Sequence, residues 1–317
     1  MALQGRSSPL VAINIRSCSF LLCFVVLLFF PIQQATAGKT GQLTVYWGRN
    51  KAEGSLREAC DTGIYNTVII SFFSVFGHGK YWTDLSGHPL NGVGNDIKHC
   101  QSKKHVTVLL SIGGDGEGYS LPTAKSARDV ADHLWNAYLG GHRMGVFRPF
   151  GDAVLDGIDF YIGLGPQDKY YDELARSLVA MASRRGKITK QAAVHLTASP
   201  PCSRVFDEQA SSELETMTRL VERVHVRFYG EPSCGYDYHE TRPFWGAWSL
   251  WRFRFPATRL HVALPASDEF RGWIDAETLR ESVLPSLQDE PRYGGVVLWN
   301  RYHDKITGYG HAIRDVV

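Results

Sequence analysis

The chain has little that would point to a nucleic acid, a nucleotide or a metal ion. Among its 317 residues, 34 basic side chains nearly balance 32 acidic ones, so no overall charge favours a nucleic acid. No Cys-x-x-Cys pair suggests a zinc site, and no glycine-rich loop follows the first predicted strand to hold a dinucleotide. We therefore expect no cofactor, no metal and no nucleic-acid partner.

Long hydrophobic runs are scarce as well, and a single one stands out. Residues 20–30 (FLLCFVVLLFF) are apolar, follow two arginines and end at Pro31. Residues 35–37 (ATA) then offer a small-x-small cleavage site, so residues 1–37 have the pattern of a secretory signal peptide. A membrane anchor is the alternative, which the short run disfavours. We expect residues 38–317 to be secreted and to have no membrane contact.

Cysteine is also sparse outside this leader. Two of the six cysteines lie within it, which leaves Cys60, Cys100, Cys202 and Cys234. An even number in a secreted chain suggests two disulfides, for which three pairings are possible. Closeness in sequence favours the pairs Cys60–Cys100 and Cys202–Cys234, and four free thiols are the alternative.

Short apolar segments recur along the mature chain, with helical patterns between them. The predicted strands span residues 43–47, 68–73, 106–112, 157–162, 193–197, 224–229, 260–264 and 296–299. Helical spacing of apolar residues predicts helices over 124–139, 168–183, 214–221 and 276–287. Eight strands alternating with helices predict an α/β fold, a single (β/α)8 TIM barrel over residues 38–317. An open doubly wound sheet is the alternative.

The fourth predicted strand carries the most informative pattern. Side chains alternate between the two faces of a strand, so Asp159, Tyr161 and Gly163 share one face, while Ile158 and Phe160 share the apolar other. Active sites of such barrels lie at the C-terminal ends of the strands. We therefore expect the position of Gly163, which has no side chain, to lie at the barrel mouth.

Five motifs lie on the predicted strands: YWG at 46–48, SIGG at 111–114, DGIDF at 156–160, FY at 228–229 and LW at 298–299. This set resembles the family-18 glycoside hydrolases, in particular the plant class III chitinases. Longer runs are WGRNKAEGSLREAC at 47–60, DIKHCQSK at 96–103 and RPFGDA at 148–153. They are most similar to the xylanase inhibitor proteins of cereals, which are non-enzymatic relatives of those chitinases.

The resemblance implies a site that has lost its chemistry. Active members need Asp-x-x-Asp-x-Asp-x-Glu on strand four, where the Glu protonates the leaving oxygen and the preceding Asp orients the substrate's N-acetyl group, which acts as nucleophile. This chain has, in the same positions, Asp156, Asp159, Tyr161 and Gly163. With Tyr229 and Trp299 they would form a vestigial site. A lost general acid costs about 10²–10⁴-fold in rate, so we expect no enzymatic activity.

Two further expectations concern this site. Asp168, Asp172 and Glu173 follow the strand closely, but we expect them to lie too far beyond it to replace the missing acid. Arg227 shares a face with Tyr229, where a class III chitinase has an uncharged amide. We expect Arg227 to fill or brace the cleft, with a solvent-facing arginine as the alternative.

The resemblance also implies an inhibitory surface. Xylanase inhibitor proteins block family-11 xylanases with an arginine in the loop between the fourth helix and the fifth strand. That loop is predicted over residues 183–191, with Arg184 in the inhibitory position and Arg185 and Lys187 nearby. Arginine can engage the paired carboxylates of a glycosidase cleft. The alternative is ordinary basic surface at a helix C-terminus.

The xylanase inhibitor proteins bind family-10 xylanases through their seventh helix, where a lysine normally reaches the enzyme's carboxylates. This chain has Glu277 in that place, and a carboxylate repels a carboxylate pair. We therefore expect microbial family-11 xylanases to be better partners than family-10 enzymes, in a role in plant defence in the apoplast.

Other functions stay open on the sequence alone. A lectin-like protein that binds chitin oligosaccharides could stack sugars on the aromatic side chains Tyr46, Trp47, Tyr161, Tyr229 and Trp299. Aromatic residues at strand ends are more often packing residues. A residual chitinase, or a storage or stress protein with neither activity, are the remaining alternatives.

Overall fold

Short apolar strands close into a ring of parallel strands. The computed structural model describes residues 41–114, 116, 118–163, 169–189 and 194–317, and the predicted signal peptide lies outside them. The strands of this part are β1 (Gln42–Trp47), β2 (Thr67–Val75), β3 (Trp82–Thr83), β4 (Thr107–Gly113), β5 (Gly157–Tyr161), β6 (His195–Ser199), β7 (Arg223–Arg227), β8 (Arg259–Pro265) and β9 (Tyr293–Trp299). Neighbours follow the order β1-β9-β8-β7-β6-β5-β4-β2-β3, and β1 also pairs with β2. Only β3 is antiparallel to its neighbour. The predicted (β/α)8 barrel is confirmed, and the open sheet is excluded.

Helices surround this barrel. They are α1 (Leu56–Asp61), α2 (Val93–Lys104), α3 (Ala124–Ala137), α4 (Tyr171–Thr189), α5 (Glu208–Thr218), α6 (Arg242–Arg254), α7 (Ala276–Thr278), α8 (Leu284–Gln288), α9 (Arg301–Thr307) and α10 (Tyr309–Ile313). A π-helical turn, Leu279–Val283, joins α7 to α8. The sequence analysis missed α1, α2, α6, α9 and α10. In α6 the buried residues Phe244, Trp248 and Trp251 have helical spacing, but the exposed Phe253 obscures the pattern.

The predicted end of the fourth barrel helix is wrong. The helix was expected to stop near Ser183, whereas α4 continues to Thr189 and carries residues 184–189 within it. Arginine and lysine are good helix formers, no proline interrupts this stretch, and Gly186 alone costs only about 1 kcal/mol in a helix. The predicted loop is therefore the last turns of a helix, and residues 190–193 lie outside the described part.

The alternation predicted for strand β5 is confirmed. Ile158 and Phe160 are fully buried in the main core between the barrel and its helices. Tyr161 points into the barrel and belongs to a second cluster there, which also contains Tyr46, Ile69, Phe72, Leu109, Tyr229, Ala263 and Val297. The barrel interior is therefore packed with side chains.

Both predicted disulfides are confirmed. Cys60–Cys100 joins α1 to α2, and Cys202–Cys234 joins the 3₁₀ turn after β6 to the segment after β7. Within the described residues, no helix combines the length and the apolar character needed to cross a membrane. Over the same ranges, no three histidine, cysteine or acidic side chains are arranged to hold a metal ion.

Candidate functional site

Asp159 lies at the centre of the barrel and is fully buried. Its Oδ1 accepts hydrogen bonds from Thr197 Oγ1 at 2.6 Å and Ser199 Oγ at 2.8 Å, and its Oδ2 accepts one from Ser111 Oγ at 2.7 Å. The hydroxyl of Tyr46 lies 3.3 Å from Oδ2 and 2.7 Å from Ser199 Oγ. The carboxylate is thus surrounded by four hydroxyl groups from three different strands, β1, β4 and β6.

These contacts determine the ionisation of Asp159. Burial acts to raise the pKa of Asp159, but His225 and the hydroxyls of Thr197 and Ser111 together hold it below its ordinary value. His225 Nδ1 lies 3.4 Å from Asp159 Oδ1, and burial lowers the pKa of this imidazole. Asp159 is therefore an ionised carboxylate at neutral pH, and it cannot supply a proton to a substrate.

Tyr161 occupies the barrel mouth above Asp159. Its ring centre lies 4.9 Å from that of Phe72, 6.2 Å from that of Tyr46 and 6.2 Å from that of Trp299. The side chain is 2% exposed. The barrel mouth is therefore closed by the packing of aromatic side chains at this point.

Arg227 reinforces this closure from strand β7. Its guanidinium carbon lies 3.7 Å from the centre of the Tyr161 ring, and its Nη2 donates to the carbonyl of Ile162 at 2.6 Å. The residue is 8% exposed. The expectation that Arg227 braces the cleft is confirmed, and the solvent-facing alternative is wrong.

The remaining members of the predicted site fall in different places. Gly163 follows the end of β5, and its carbonyl accepts a hydrogen bond from Arg204 Nη1 at 3.0 Å. Asp156 precedes β5, and its Oδ2 accepts from the main-chain N–H of Val108 at 2.7 Å. Its place in the vestigial site is wrong, because a residue before a barrel strand lies at the end opposite the mouth. Asp156 anchors β5 to β4.

The aromatic side chains proposed for sugar stacking are mostly inaccessible. Tyr46 is inside the barrel, and Tyr229 is buried with its ring stacked on Trp299 at 5.5 Å. Trp47 faces the opposite side of β1, where its indole N–H donates to the carbonyl of Gly54 at 3.0 Å. Among these aromatic residues, Trp299 alone is partly exposed. The packing interpretation of the other four is confirmed.

The nearby acids are engaged in ion pairs on the outside of the barrel. Asp172 pairs with Arg176 at 2.7 Å, and Glu173 pairs with Arg128 at 2.8 Å. Both acids lie in the first turn of α4, as expected for residues beyond the strand. Asp168 lies outside the described residues.

The predicted inhibitory residues lie at the other end of the barrel. Arg184 is exposed on α4, and no described residue forms an ion pair with it. Arg185 is half-buried and lines a pocket together with Asp156 and His195, which mark the N-terminal ends of β5 and β6. Lys187 lies in the same helix, and its side chain is outside the described part. The structure thus brings Arg184 and Arg185 together on one helix, not on a loop.

Glu277 is exposed in the short helix α7. The preceding Asp275 caps this helix, because its Oδ1 accepts from the N–H of Thr278 at 2.8 Å. Glu277 therefore projects from a fixed helical turn.

Some contributors to the site were missed from the sequence. Thr197, Ser199 and His225 surround Asp159 but belong to segments that had been assigned only as strands. These three residues alternate with apolar neighbours on β6 and β7, which could have identified them from the sequence. Polar side chains that face the inside of a barrel need hydrogen-bond partners there.

Three comparisons place these observations among known proteins. The model of Glycosyl hydrolases family 18 matches residues 42–253. Xylanase inhibitor protein 1 of Oryza sativa subsp. japonica is 50% identical over 281 residues, which cover 88% of this chain and 90% of that protein. Xylanase inhibitor protein 1 of Triticum aestivum is 47% identical over 310 residues, 97% of this chain and 99% of that protein. The crystal structure of the xylanase and alpha-amylase inhibitor protein XAIP-II from Scadoxus multiflorus superposes with a TM-score of 0.76 at 34% identity, covering 86% of this chain and 97% of that one.

Proposed function

The chain belongs to family 18 of the glycosyl hydrolases, and from that membership we propose that it is a secreted, non-catalytic member that inhibits microbial family-11 endo-xylanases. Two relatives at 47% and 50% identity are named as xylanase inhibitors. The solved XAIP-II structure, whose name includes xylanase inhibition, has the same fold. The proposed setting is plant defence in the apoplast.

The absence of hydrolysis rests on Tyr161, Gly163 and Arg227. The first two remove the orienting carboxylate and the proton donor, and the third lies on the Tyr161 ring. A positioned general acid contributes about 10²–10⁴-fold to the rate. Asp159, which remains, is ionised and surrounded by hydroxyl groups, so it offers no proton.

The observation that carries the inhibitor proposal is the exposed guanidinium of Arg184 near the end of α4. No described side chain neutralises its charge. A xylanase cleft holds two carboxylates, and a guanidinium can bind a carboxylate through two parallel hydrogen bonds. Arg184 is therefore the residue that we assign to the enzyme's cleft. Arg185 packs along Gly140, where an added Cβ would lie 2.9 Å from Arg185 Cδ, and has a supporting role.

The test is an inhibition assay against a family-11 xylanase with Arg184→Ala. Loss of a central arginine contact should weaken inhibition by about 30-fold, on the scale of a binding hot spot. Arg219→Ala is the matched control, because Arg219 is also exposed and caps the C-terminus of the next helix, α5. Equal inhibition by wild type and Arg184→Ala would reject the assignment of Arg184. A wild type that inhibits no family-11 xylanase would reject the proposed function.

The same assay should include a family-10 xylanase, to test the expected preference for family 11, and an alpha-amylase, because the name of XAIP-II includes alpha-amylase inhibition. Binding of chitin oligosaccharides is the second candidate, and residual chitinase activity is a third. Both require an open cleft, whereas Tyr161 and Phe72 are buried in contact with each other at the barrel mouth. Calorimetry with chitin oligosaccharides tests the second candidate, and saturable sugar binding without xylanase inhibition would favour it.

Secretion is proposed from the leader pattern of residues 1–37 and is supported by the two disulfides, which form in oxidising compartments. Intact mass of the protein recovered from the medium of a plant expression host tests it. We expect the measured mass to match a chain that starts at Gly38. A mass that includes residues 1–37 would contradict cleavage of the leader.

A further inference from the structure

Two large apolar side chains stand out on the segment between α3 and β5. Met144 is 96% exposed and Phe147 is 76% exposed, which makes them two of the most exposed large apolar residues of the described chain. We call residues 140–150 the Met144 loop. Exposing two such side chains on one short segment is unfavourable in water, and it often marks a surface that another molecule covers.

The Met144 loop is fixed from beneath by Arg148. The guanidinium of Arg148 donates to main-chain carbonyls on both sides of the loop, namely those of Asn136, Leu139, Gly141, Gly151 and Ala153, at distances from 2.6 to 3.3 Å. Arg143 adds an ion pair with Asp132, and its N–H donates to Asn136 Oδ1 at 3.0 Å. The loop therefore needs little ordering when it binds, which reduces the entropic cost of association.

The Met144 loop adjoins the part of α4 that carries Arg184. One groove of about 560 Å³ is lined by Gly140, Gly141 and His142 of the loop and by Met181, Arg184 and Arg185 of the helix. The start of the Met144 loop and the uncompensated Arg184 thus border one groove, and Met144 follows the lining residue His142 by two positions.

We propose that Met144 and Phe147 form, together with Arg184, one composite docking surface for the xylanase, an inference that rests on the proposed function. A polysaccharide-cleaving cleft combines carboxylates with apolar and aromatic walls. Arg184 complements the carboxylates, while Met144 and Phe147 cover the apolar rim beside the cleft. The Met144 loop thereby extends the contact beyond the single arginine.

The test compares wild type with Met144→Ser/Phe147→Ser against a family-11 xylanase. We expect the inhibition constant to rise by at least about tenfold, because two apolar anchors are lost. Phe253→Ser is the matched control, since Phe253 is 81% exposed but lies on α6, between β7 and β8. Its inhibition constant should stay within about twofold of wild type.

Hydrogen exchange of the wild type supplies a second measurement that needs no variant. Binding of the xylanase should slow exchange in residues 140–150 and leave α6 unchanged. If the wild type inhibits but the double variant inhibits equally well, or the loop gains no protection, the docking surface is wrong and the proposed function stands. If the wild type inhibits no xylanase, the proposed function itself fails.

Discussion

The guanidinium carbon of Arg227 lies 3.7 Å from the centre of the Tyr161 ring. The two residues come from β7 and β5, so the contact spans β6 across the inside of the barrel. The contact between them is attractive, because the cation of Arg227 lies over the negative face of the Tyr161 ring. The two buried side chains thereby close the barrel interior at this point.

A double-mutant cycle measures this pair. Tyr161→Leu and Arg227→Met remove the ring and the charge with little change of volume. We expect a coupling free energy of about 1–2 kcal/mol, because the contact is buried. Urea unfolding at pH 7 of the wild type, both single variants and the double variant gives this value. A second cycle of Tyr161→Leu with Arg280→Met should be additive within about 0.5 kcal/mol, since Arg280 pairs with Asp315. Additivity in the first cycle as well would contradict the stacking contribution.

Asp159 should stabilise the barrel only while it is ionised. Its pKa in the folded protein lies below the ordinary value, so its contribution is present above about pH 4 and is lost as the pH falls through the folded pKa. Asp159→Asn leaves hydroxyl donors without a charged acceptor, and it should cost about 1–3 kcal/mol at pH 7. Denaturant unfolding at pH 7 and pH 3 tests both parts. The difference between wild type and variant should shrink at pH 3, and an equal difference at the two pH values would show that the charge has no role.

The barrel and the inward face of β5 were predictable from sequence because they depend on local patterns. Alternation along β5 placed Asp159 and Tyr161 on the inward face, and the sequence itself shows that position 163 has no side chain. The partners of Asp159 were harder to identify, since Thr197 and His225 meet it only when β6 and β7 close the ring. Such contacts depend on the register between strands, which residue spacing does not reveal.

The surface was less predictable than the core. The predicted loop after Ser183 proved to be helix, because a single glycine among good helix formers does not end one. Asp156 was assigned to the cleft from its motif, although its carboxylate bonds Val108 at the far end of the strand. The exposure of Met144 and Phe147 is visible only when the packing of their neighbours is known.

His195 provides a pH-dependent probe of the face that carries Arg185. The hydrogen bond from His195 Nδ1 to Glu222 Oε2, 2.7 Å long, raises the pKa of His195 above its ordinary value. A raised histidine pKa stabilises the fold below about pH 6.5, and this stability is lost as the pH rises through the folded pKa. Both side chains are more than a third exposed, so the effect on stability should stay below about 1 kcal/mol.

The sharper measurement is an NMR titration of His195. Glu222→Gln should lower the pKa of His195, because the charged acceptor is gone. Glu215→Gln, at an exposed position on α5, is the control and should leave it unchanged. If the pKa of His195 is the same in wild type and Glu222→Gln, the hydrogen bond does not form in solution.

Glu277 should decide the discrimination between xylanase families. It is exposed on α7, the helix that the resemblance implies for contact with family-10 enzymes. A carboxylate facing a carboxylate pair is unfavourable, so wild-type inhibition of a family-10 xylanase should be weak. Glu277→Lys replaces repulsion by attraction and should improve that inhibition by about tenfold or more, without changing family-11 inhibition, because Arg184 lies on α4.

Glu281→Lys makes the same charge change nearby, on the π-helical turn Leu279–Val283, and separates the effect of position from that of net charge. Equal improvement by both variants would point to net charge alone, and potent inhibition of a family-10 enzyme by the wild type would show that Glu277 is no barrier.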